Sequence, residues 1–553
     1  MSADKSDWVL DRVLRQRAES MAEKPFLEVV GDRCESYRET YEAALRLAAR
    51  LEQLGVGKGD TVVIMAPNSF EAVHAWIAAN MLGAIDVTIN TAYRGQLLEH
   101  ALNMAQARII LLDEEFLPVL RDSEAKLPQM ETAVHFRTHG NNYEAAPPQF
   151  ERIALRPLWE APERPLSNAT GQADFRETAS VIYTSGTTGP AKGVMMPHAQ
   201  THYLAQQTIA GLRLREDDVF YCFHPLFHMA GKFMGIYATM LAGGKIVLDA
   251  RFAAEHWLER VRQYGATVGL AHGPMIEMIF DQPAGPNDRD NPMRRILACP
   301  FPKHIALEFE RRFDLRGYEV WGMTEINTPC WTPYDEPVRL GSCGKIMEDA
   351  VDFQIVDPET DEPVPDGETG EFVVRHKEPW TLMQGYMGMP EKTNETWRNL
   401  WFHTGDMGYR DTEGYIYFVD RFKDRIRRRA ENISSYDIEV VAATHPAIAE
   451  CAALGVASEF VSDDDIKLCA VLADGAALEP AALIEFLVEG LPYYMVPRYI
   501  EFLDALPRTP TNKIKKAEMR AEGITENTWD RQAAGVSVRQ IVEAARQQKG
   551  SGQ

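Results

Sequence analysis

Paired cysteines are missing from this 553-residue chain. Its seven, Cys34, Cys222, Cys299, Cys330, Cys343, Cys451 and Cys469, are odd in number, scattered, and never spaced C-x-x-C. That argues against a disulfide framework and a zinc ribbon, and a cytoplasmic location is expected. No window holds eighteen apolar residues, so no membrane span is expected. Met1 to Asp7 lacks the apolar core of a signal peptide. Positive charge is short too: 58 basic residues stand against 81 acidic ones, a net charge of −23. Contacts to nucleic-acid phosphates need a basic excess, so no nucleic acid is expected as a partner. The dinucleotide fingerprint G-x-G-x-x-G is absent, and so is the P-loop pattern G-x-x-x-x-G-K-[ST].

What the chain has is length enough for several cores, and a strand–helix alternation. Thr61 to Met65 is a continuous apolar run typical of a strand covered on both faces. Asn68-Ser69 offers an N-cap to an amphipathic helix from Phe70 to Leu82, ended by Gly83. Strands at Ile85–Ile89 and Arg108–Leu112 flank a helix at Gly95–Met104. The stretch from Thr138 to Arg176 is read as a surface excursion. Alternation resumes with a strand at Asp218–Cys222, a long apolar helix at Met229–Leu241, and strands at Lys245–Leu248 and Thr267–Leu270. Such a pattern builds an α/β fold of mostly parallel sheets covered by helices. Composition shifts after Asp420, where Arg421, Lys423, Arg425, Arg427, Arg428 and Arg429 cluster. A large N-terminal domain over 1–420 and a small α+β C-terminal domain over 421–553 are expected.

The organising stretch is Val181-Ile182-Tyr183-Thr184-Ser185-Gly186-Thr187-Thr188-Gly189-Pro190-Ala191-Lys192-Gly193-Val194. A short β-branched strand runs into residues that are nearly all hydroxylated or Gly. Hydroxyls donate hydrogen bonds, glycines let backbone N–H groups turn towards an anion, and Lys192 adds a positive charge. That is the chemistry of a polyphosphate cradle. Further on, Tyr318-Glu319-Val320-Trp321-Gly322-Met323-Thr324-Glu325 sets an aromatic beside Gly, where it can stack on a purine. Thr324 can donate to a phosphate, and Glu325 is a hard oxygen ligand suited to Mg²⁺. In Trp401-Phe402-His403-Thr404-Gly405-Asp406, a carboxylate on a tight turn can accept from two ribose hydroxyls.

Over essentially its whole length the chain resembles the AMP-forming adenylating superfamily of acyl-CoA synthetases, luciferases and peptide-synthetase adenylation domains. The closest subgroup includes carnitine-type and other bacterial acid–CoA ligases. The resemblance implies an enzyme that activates a carboxylic acid with ATP and Mg²⁺ and passes the acyl group to coenzyme A. It assigns ATP and AMP to Thr184, Ser185, Gly186, Thr187, Thr188, Gly189, Lys192, Ala298, Cys299, Pro300, Trp321, Gly322, Met323, Thr324, Asp406, Phe418, Arg421 and Lys513. Metal is assigned to Thr184 and Glu325. Catalysis falls to Lys513, Thr184 and Glu325, with Lys513 framed by Leu506-Pro507-Arg508-Thr509-Pro510-Thr511-Asn512 in a mobile C-terminal domain. Lys423 takes the hinge position. Cys299 departs from the small residues usual along the adenine, Ala430 from a usual Gly, and Asn512 from another.

Phe223-His224-Pro225-Leu226-Phe227-His228-Met229-Ala230-Gly231 matches the family's substrate-pocket motif. The acyl pocket implied comprises Phe227, His228, Gly231, Lys232 and His272. His224 stands where amino-acid-activating relatives place Asp, which disfavours an amino acid. Lys232 either meets a polar group on the acid or snorkels to water. The basic run is either a solvated helix face or a landing strip for coenzyme A phosphates. On the second reading Arg427, Arg428, Arg429, Ala430, Glu431 and Asn432 meet coenzyme A. Expected partners are a small-molecule carboxylic acid, ATP and coenzyme A, with a homodimer left open. Transfer to a carrier protein or another acceptor, and a non-catalytic nucleotide-binding relative, are the rival readings.

Overall fold

The computed structural model describes residues 4–160, 173–184, 191–421, 425–428, 431–460, 463–508 and 514–543. It separates into two compact units. The first comprises Met1–Thr91, Ala101–Tyr183 and Gly193–Asp420, and the second Ala92–His100, Thr184–Lys192 and Arg421–Gln553.

Continuous apolar runs need cover on both faces, and in the first unit two large sheets supply strands for them. One sheet has eight strands with Thr61–Met65 inside it, paired in parallel to Ile85–Thr88 on one side and Ile109–Asp113 on the other. Thr178–Thr184 follows beside Ile85–Thr88, also in parallel. The other sheet has nine strands. Its parallel centre runs Arg316–Met323, Arg295–Cys299, Val268–His272, Val219–Cys222, Lys245–Leu248. A third sheet pairs Val351–Val356, Gly370–His376, Trp401–Arg410 and Trp397–Arg398 antiparallel in that order, with Ile416–Arg421 beside Trp401–Arg410. The sequence expectation of mostly parallel sheets did not include it.

The helix Phe70–Met81 starts where Ser69 caps it, its side chain accepting from Ala72 N–H. It is not amphipathic: every residue but Glu71 is buried, as for a helix packed on all sides. The helix expected over Met229–Leu241 is a π-helix at Ala230–Tyr237 continued by an α-helix at Ala238–Ala242. The Thr138–Arg176 excursion is not all surface loop. Ala154–Pro157 adds an edge strand to the eight-stranded sheet, and Ile153 and Leu158 beside it are buried.

The second unit holds a hairpin of Arg425–Arg428 and Glu431–Ser434, and a sheet ordered Ile448–Ala457, Asp464–Leu472, Tyr499–Phe502, Trp529–Asp530. Helices Ser435–Ala442 and Pro480–Gly490 cover it through Ile438, Leu483, Ile484 and Leu487. Among the described residues no helix is long and apolar enough to cross a membrane.

Candidate functional site

In open parallel sheets, ligands sit outside the carboxyl ends of the strands. Neighbouring strands of the nine-stranded sheet end there in Met323, Cys299, His272 and Cys222. Three of the sequence motifs therefore meet along one edge.

The strand Arg316–Met323 folds back on Asn327–Trp331, with a register shift between Trp321 and Met323. Gly322 is required by that hairpin: a side chain there would run into the Asn327 carbonyl and the Thr328 backbone. The turn carrying Thr324 and Glu325 is held by Gln200, whose amide donates to Thr324 O at 2.9 Å and to Asn327 Oδ1 at 3.1 Å. Met383 N–H donates to Glu325 O at 3.0 Å. The Glu325 side chain is 3% exposed and accepts from the Tyr386 hydroxyl at 2.8 Å. Among the described residues no ion pair neutralises it. Its oxygens are hard donors of the kind a divalent cation takes. Among the described residues no group of three or more His, Cys, Asp or Glu could hold a metal.

Asp406 lies in Trp401–Arg410 and is 2% exposed. Its Oδ2 accepts from the indole Nε1 of Trp321 at 3.0 Å. The turn before it is fixed from behind, since Gly405 N–H donates to Glu371 at 2.9 Å and the Thr404 hydroxyl to Phe372 O at 2.7 Å. Trp321 packs edge-on against both Phe353 and Phe372, which also touch each other. Ala298 is buried and Cys299 and Pro300 are part-exposed, joined by a cis peptide bond. Phe418 is 37% exposed on Ile416–Arg421.

The Phe223–Gly231 segment leaves Val219–Cys222 as a turn pinned by Asn68, a residue that sequence reasoning credited only with capping. Its amide donates to the carbonyls of His224 and Asp249, both at 2.9 Å, and accepts from Leu226 N–H at 3.2 Å. His224 is buried, stacks on Phe223 and bonds His272 through Nε2 and Nδ1 at 2.8 Å. Burial pushes its pKa down to about 3, so it is neutral at any working pH. Phe227 and His228 are part-exposed with rings 4.6 Å apart. Gly231 is required here, because a side chain would meet the His224 carbonyl oxygen.

Lys232 corrects one of the two sequence readings. It is 0% exposed, so it does not snorkel to water. Its ammonium pairs with Asp86, also 0% exposed, and donates to Thr88 Oγ1 at 3.2 Å. Burial lowers its pKa, with Asp86 working in the other direction.

In the second unit, the Thr184 hydroxyl donates to Lys192 O at 3.5 Å, and His100 Nε2 lies 3.2 Å from Ala191 O. Ser185, Gly186, Thr187, Thr188, Gly189, Lys423, Arg429, Ala430 and Lys513 lie outside the described residues. The basic run is not a helix face, for Arg425–Arg428 is a strand in which Arg427 stands opposite Asn432 and Arg428 opposite Glu431. Arg428 is 6% exposed and its guanidinium pairs with Asp465, so it is no surface cation awaiting a phosphate. Arg427 is part-exposed, and its backbone N–H donates to Asp464 at 2.8 Å.

Residues 14–387 match the family model described as AMP-binding enzyme, and 437–513 match that of the AMP-binding enzyme C-terminal domain. The chain is 29% identical over 489 residues to the crotonobetaine/carnitine–CoA ligase of Salmonella heidelberg, spanning 88% of this chain and 93% of that one. The same ligase of Proteus mirabilis is 29% identical over 496 residues, with the same shares. Among solved structures, a double mutant of o-succinylbenzoate CoA synthetase from Bacillus subtilis, bound with a product analogue, superposes with a TM-score of 0.79 at 25% identity. That match covers 94% of this chain and 99% of the other. An amide bond synthetase from Marinactinospora thermotolerans shares the fold, with a TM-score of 0.76 at 21% identity over 92% and 99%.

Proposed function

The chain belongs to the AMP-binding enzyme family, and from that premise we propose that it is an ATP-dependent carboxylic acid–CoA ligase. A carboxylate is a poor electrophile, because displacement at its carbon would expel oxide. Attack of its oxygen on the α-phosphorus of ATP expels pyrophosphate and leaves an acyl-adenylate. The thiolate of coenzyme A then attacks the acyl carbon, forming the thioester and releasing AMP.

The observation that carries the reading is a pair of buried carboxylates tied to one short segment. Asp406 is bonded to the Trp321 indole, and Glu325 belongs to the segment itself. Asp406 is the proposed acceptor for the ribose hydroxyls, and Trp321 to Thr324 the proposed wall for the purine and α-phosphate. Glu325 is the proposed ligand of Mg²⁺, with Thr184 as a second oxygen donor. Such an ion would withdraw charge from the phosphates as pyrophosphate leaves. Lys513 is proposed to neutralise the transferring group, and Lys423 to be the hinge of the C-terminal segment. Phe227, His228 and His272 are proposed to face the acid. The CoA-ligase names of the relatives support coenzyme A as acceptor, and Arg427 remains the described cation proposed for it. Seven free cysteines fit the reducing cytoplasm where we place the enzyme.

The test incubates the protein with ATP, Mg²⁺ and a panel of acids, including carnitine, crotonobetaine, o-succinylbenzoate and fatty acids, with and without coenzyme A. Mass spectrometry should find an acyl-CoA and AMP. Formation of AMP with no thioester from any acid would move the enzyme to another acceptor.

A further inference from the structure

Replacing a buried ion pair by apolar residues is often neutral or stabilising, so such a pair says little by itself about stability. Its best-attested use is to fix a register. Lys232 and Asp86 form one in the middle of the first unit, on elements whose registers matter.

Lys232 sits in the eight-residue π-helix Ala230–Tyr237. Such turns are rare and often mark functional sites. On one side this helix packs against the nine-stranded sheet: Gly231 abuts the His224 carbonyl, and Gly235 approaches Cys222. On the other it reaches the eight-stranded sheet through Lys232. The ammonium lies between Asp86 and Thr88 of the strand Ile85–Thr88, 5.0 Å from the ring of Trp76. Asp86 is held in turn by the hydroxyl of Ser180 and, at 3.4 Å, by the amide of Asn80. Ser180 belongs to Thr178–Thr184, the strand that leads into the phosphate-loop motif.

We propose that Lys232 is a positioning residue: its pairing with Asp86 locks the π register of Ala230–Tyr237 and so fixes the Phe223–Gly231 segment that meets the acid. A slip of one residue turns a helical side chain by about 100°. Lys232 would then leave Asp86 as an uncompensated charge in the core, an arrangement that is strongly disfavoured. The same slip would carry Gly231 away from the His224 carbonyl and bring a neighbour with a side chain against it. The pair thereby adds an electrostatic penalty against the α register to the steric one at Gly231.

The proposal rests on the acid–CoA ligase reading for its kinetic part only. The double variant Lys232→Met with Asp86→Leu removes both charges at similar volume and is expected to fold. Its KM for the acid should rise at least tenfold while its KM for ATP stays within twofold. Hydrogen exchange, which needs no acid, should quicken over Ala230–Tyr237 and remain unchanged over the helix Ala306–Phe313. Thr88→Val keeps the shape and the ion pair but removes the second acceptor of the ammonium, and should move both readouts the same way by a smaller factor, which covers the case of a double variant that does not fold. Wild-type exchange over Ala230–Tyr237 in a folded variant, or an acid KM unchanged, overturns the register lock. Failure of the wild-type protein to turn over any acid would instead sink the ligase reading and leave the exchange result standing.

Discussion

The indole N–H of Trp321 donates to Oδ2 of Asp406 at 3.0 Å, joining a strand of the nine-stranded sheet to one of the antiparallel sheet. If Asp406 holds the ribose, the indole sets where that carboxylate points. Trp321→Phe keeps a ring against Phe353 and Phe372 but removes the donor. A hydrogen bond to a charged group contributes about 1.5–3 kcal/mol, and about 1.4 kcal/mol is tenfold in affinity. The KM for ATP is therefore expected to rise about tenfold or more, with the thermal midpoint little changed. Steady-state kinetics beside a melting curve decides it. An unaltered KM would make the bond purely architectural.

Two neighbouring arginines should respond differently. Arg428 is buried against Asp465, which also accepts from Arg498 at 2.8 Å. Breaking a buried pair from one side costs about 3–5 kcal/mol, and Arg498 should hold the loss to the low end. Arg428→Ala is thus expected to lower the denaturant midpoint of the C-terminal unit. Arg427→Ala should leave that midpoint in place and raise the KM for coenzyme A. A coenzyme A dependence untouched by Arg427→Ala would remove it from the acceptor site.

Features set by neighbours in the chain were readable in advance. The Ser69 cap and the run Thr61–Met65 both follow from local backbone demands, whereas the need for Gly at 322 comes from the strand folding back on Asn327 and Thr328. Pairings between distant residues were not readable. Lys232 looks like a snorkelling lysine because Asp86 lies 146 residues away. A lone acid inside the apolar strand Ile85–Thr88 was the available clue, since a buried Asp requires a partner. Tyr386, 61 residues from Glu325, carried no signal of its own. The basic run reads as helix or strand alike from composition, and only pairing with Glu431–Ser434 makes it a strand.

Three histidines should make the first unit sensitive to mild acid. Burial lowers the pKa of His198 to about 4 and those of His202 and His224 to about 3, from the usual 6.5. All three stay neutral in the fold, whereas the unfolded chain protonates them below about 6.5. Their contribution is whole above that pH and shrinks as pH falls towards 4, by about 1.4 kcal/mol per unit for each. Asp437, raised by burial to about 7, has the opposite sign in the C-terminal segment. Tryptophan fluorescence isolates the effect, because only Trp529 of ten tryptophans lies in that segment. Between pH 7 and 5 the urea midpoint should fall, and His202→Phe should flatten the slope by about a third. A flat profile in the parent protein would mean that these rings are not held neutral.

Glu325 offers a direct test of metal dependence. Glu325→Gln keeps the side chain's shape and can still accept from Tyr386, but loses the charge proposed for Mg²⁺. Acid-dependent pyrophosphate release should slow by about 10² or more, with partial recovery as Mg²⁺ is raised. A Mg²⁺ dependence identical to that of the parent enzyme would place the metal elsewhere.

The last prediction separates the two half-reactions. During adenylation, negative charge gathers on the α-phosphate and the incoming carboxylate, and an ammonium beside them stabilises it. During thioester formation the leaving group is already an AMP, and the proposed role of Lys513 is over. Lys513→Ala should therefore abolish acid-dependent pyrophosphate exchange, since removing one well-placed donor typically costs about 10²–10³ in rate. Thioester formation from a synthetic acyl-adenylate should survive largely intact. Lys423→Pro, at the proposed hinge, should show the reverse by sparing adenylation and blocking transfer, because proline fixes φ near −65° and restricts the turn required there. Stopped-flow pyrophosphate release and thioester mass spectrometry measure the halves apart. Equal loss of both in Lys513→Ala would show that a single arrangement of the chain serves both steps, with the lysine taking part in each.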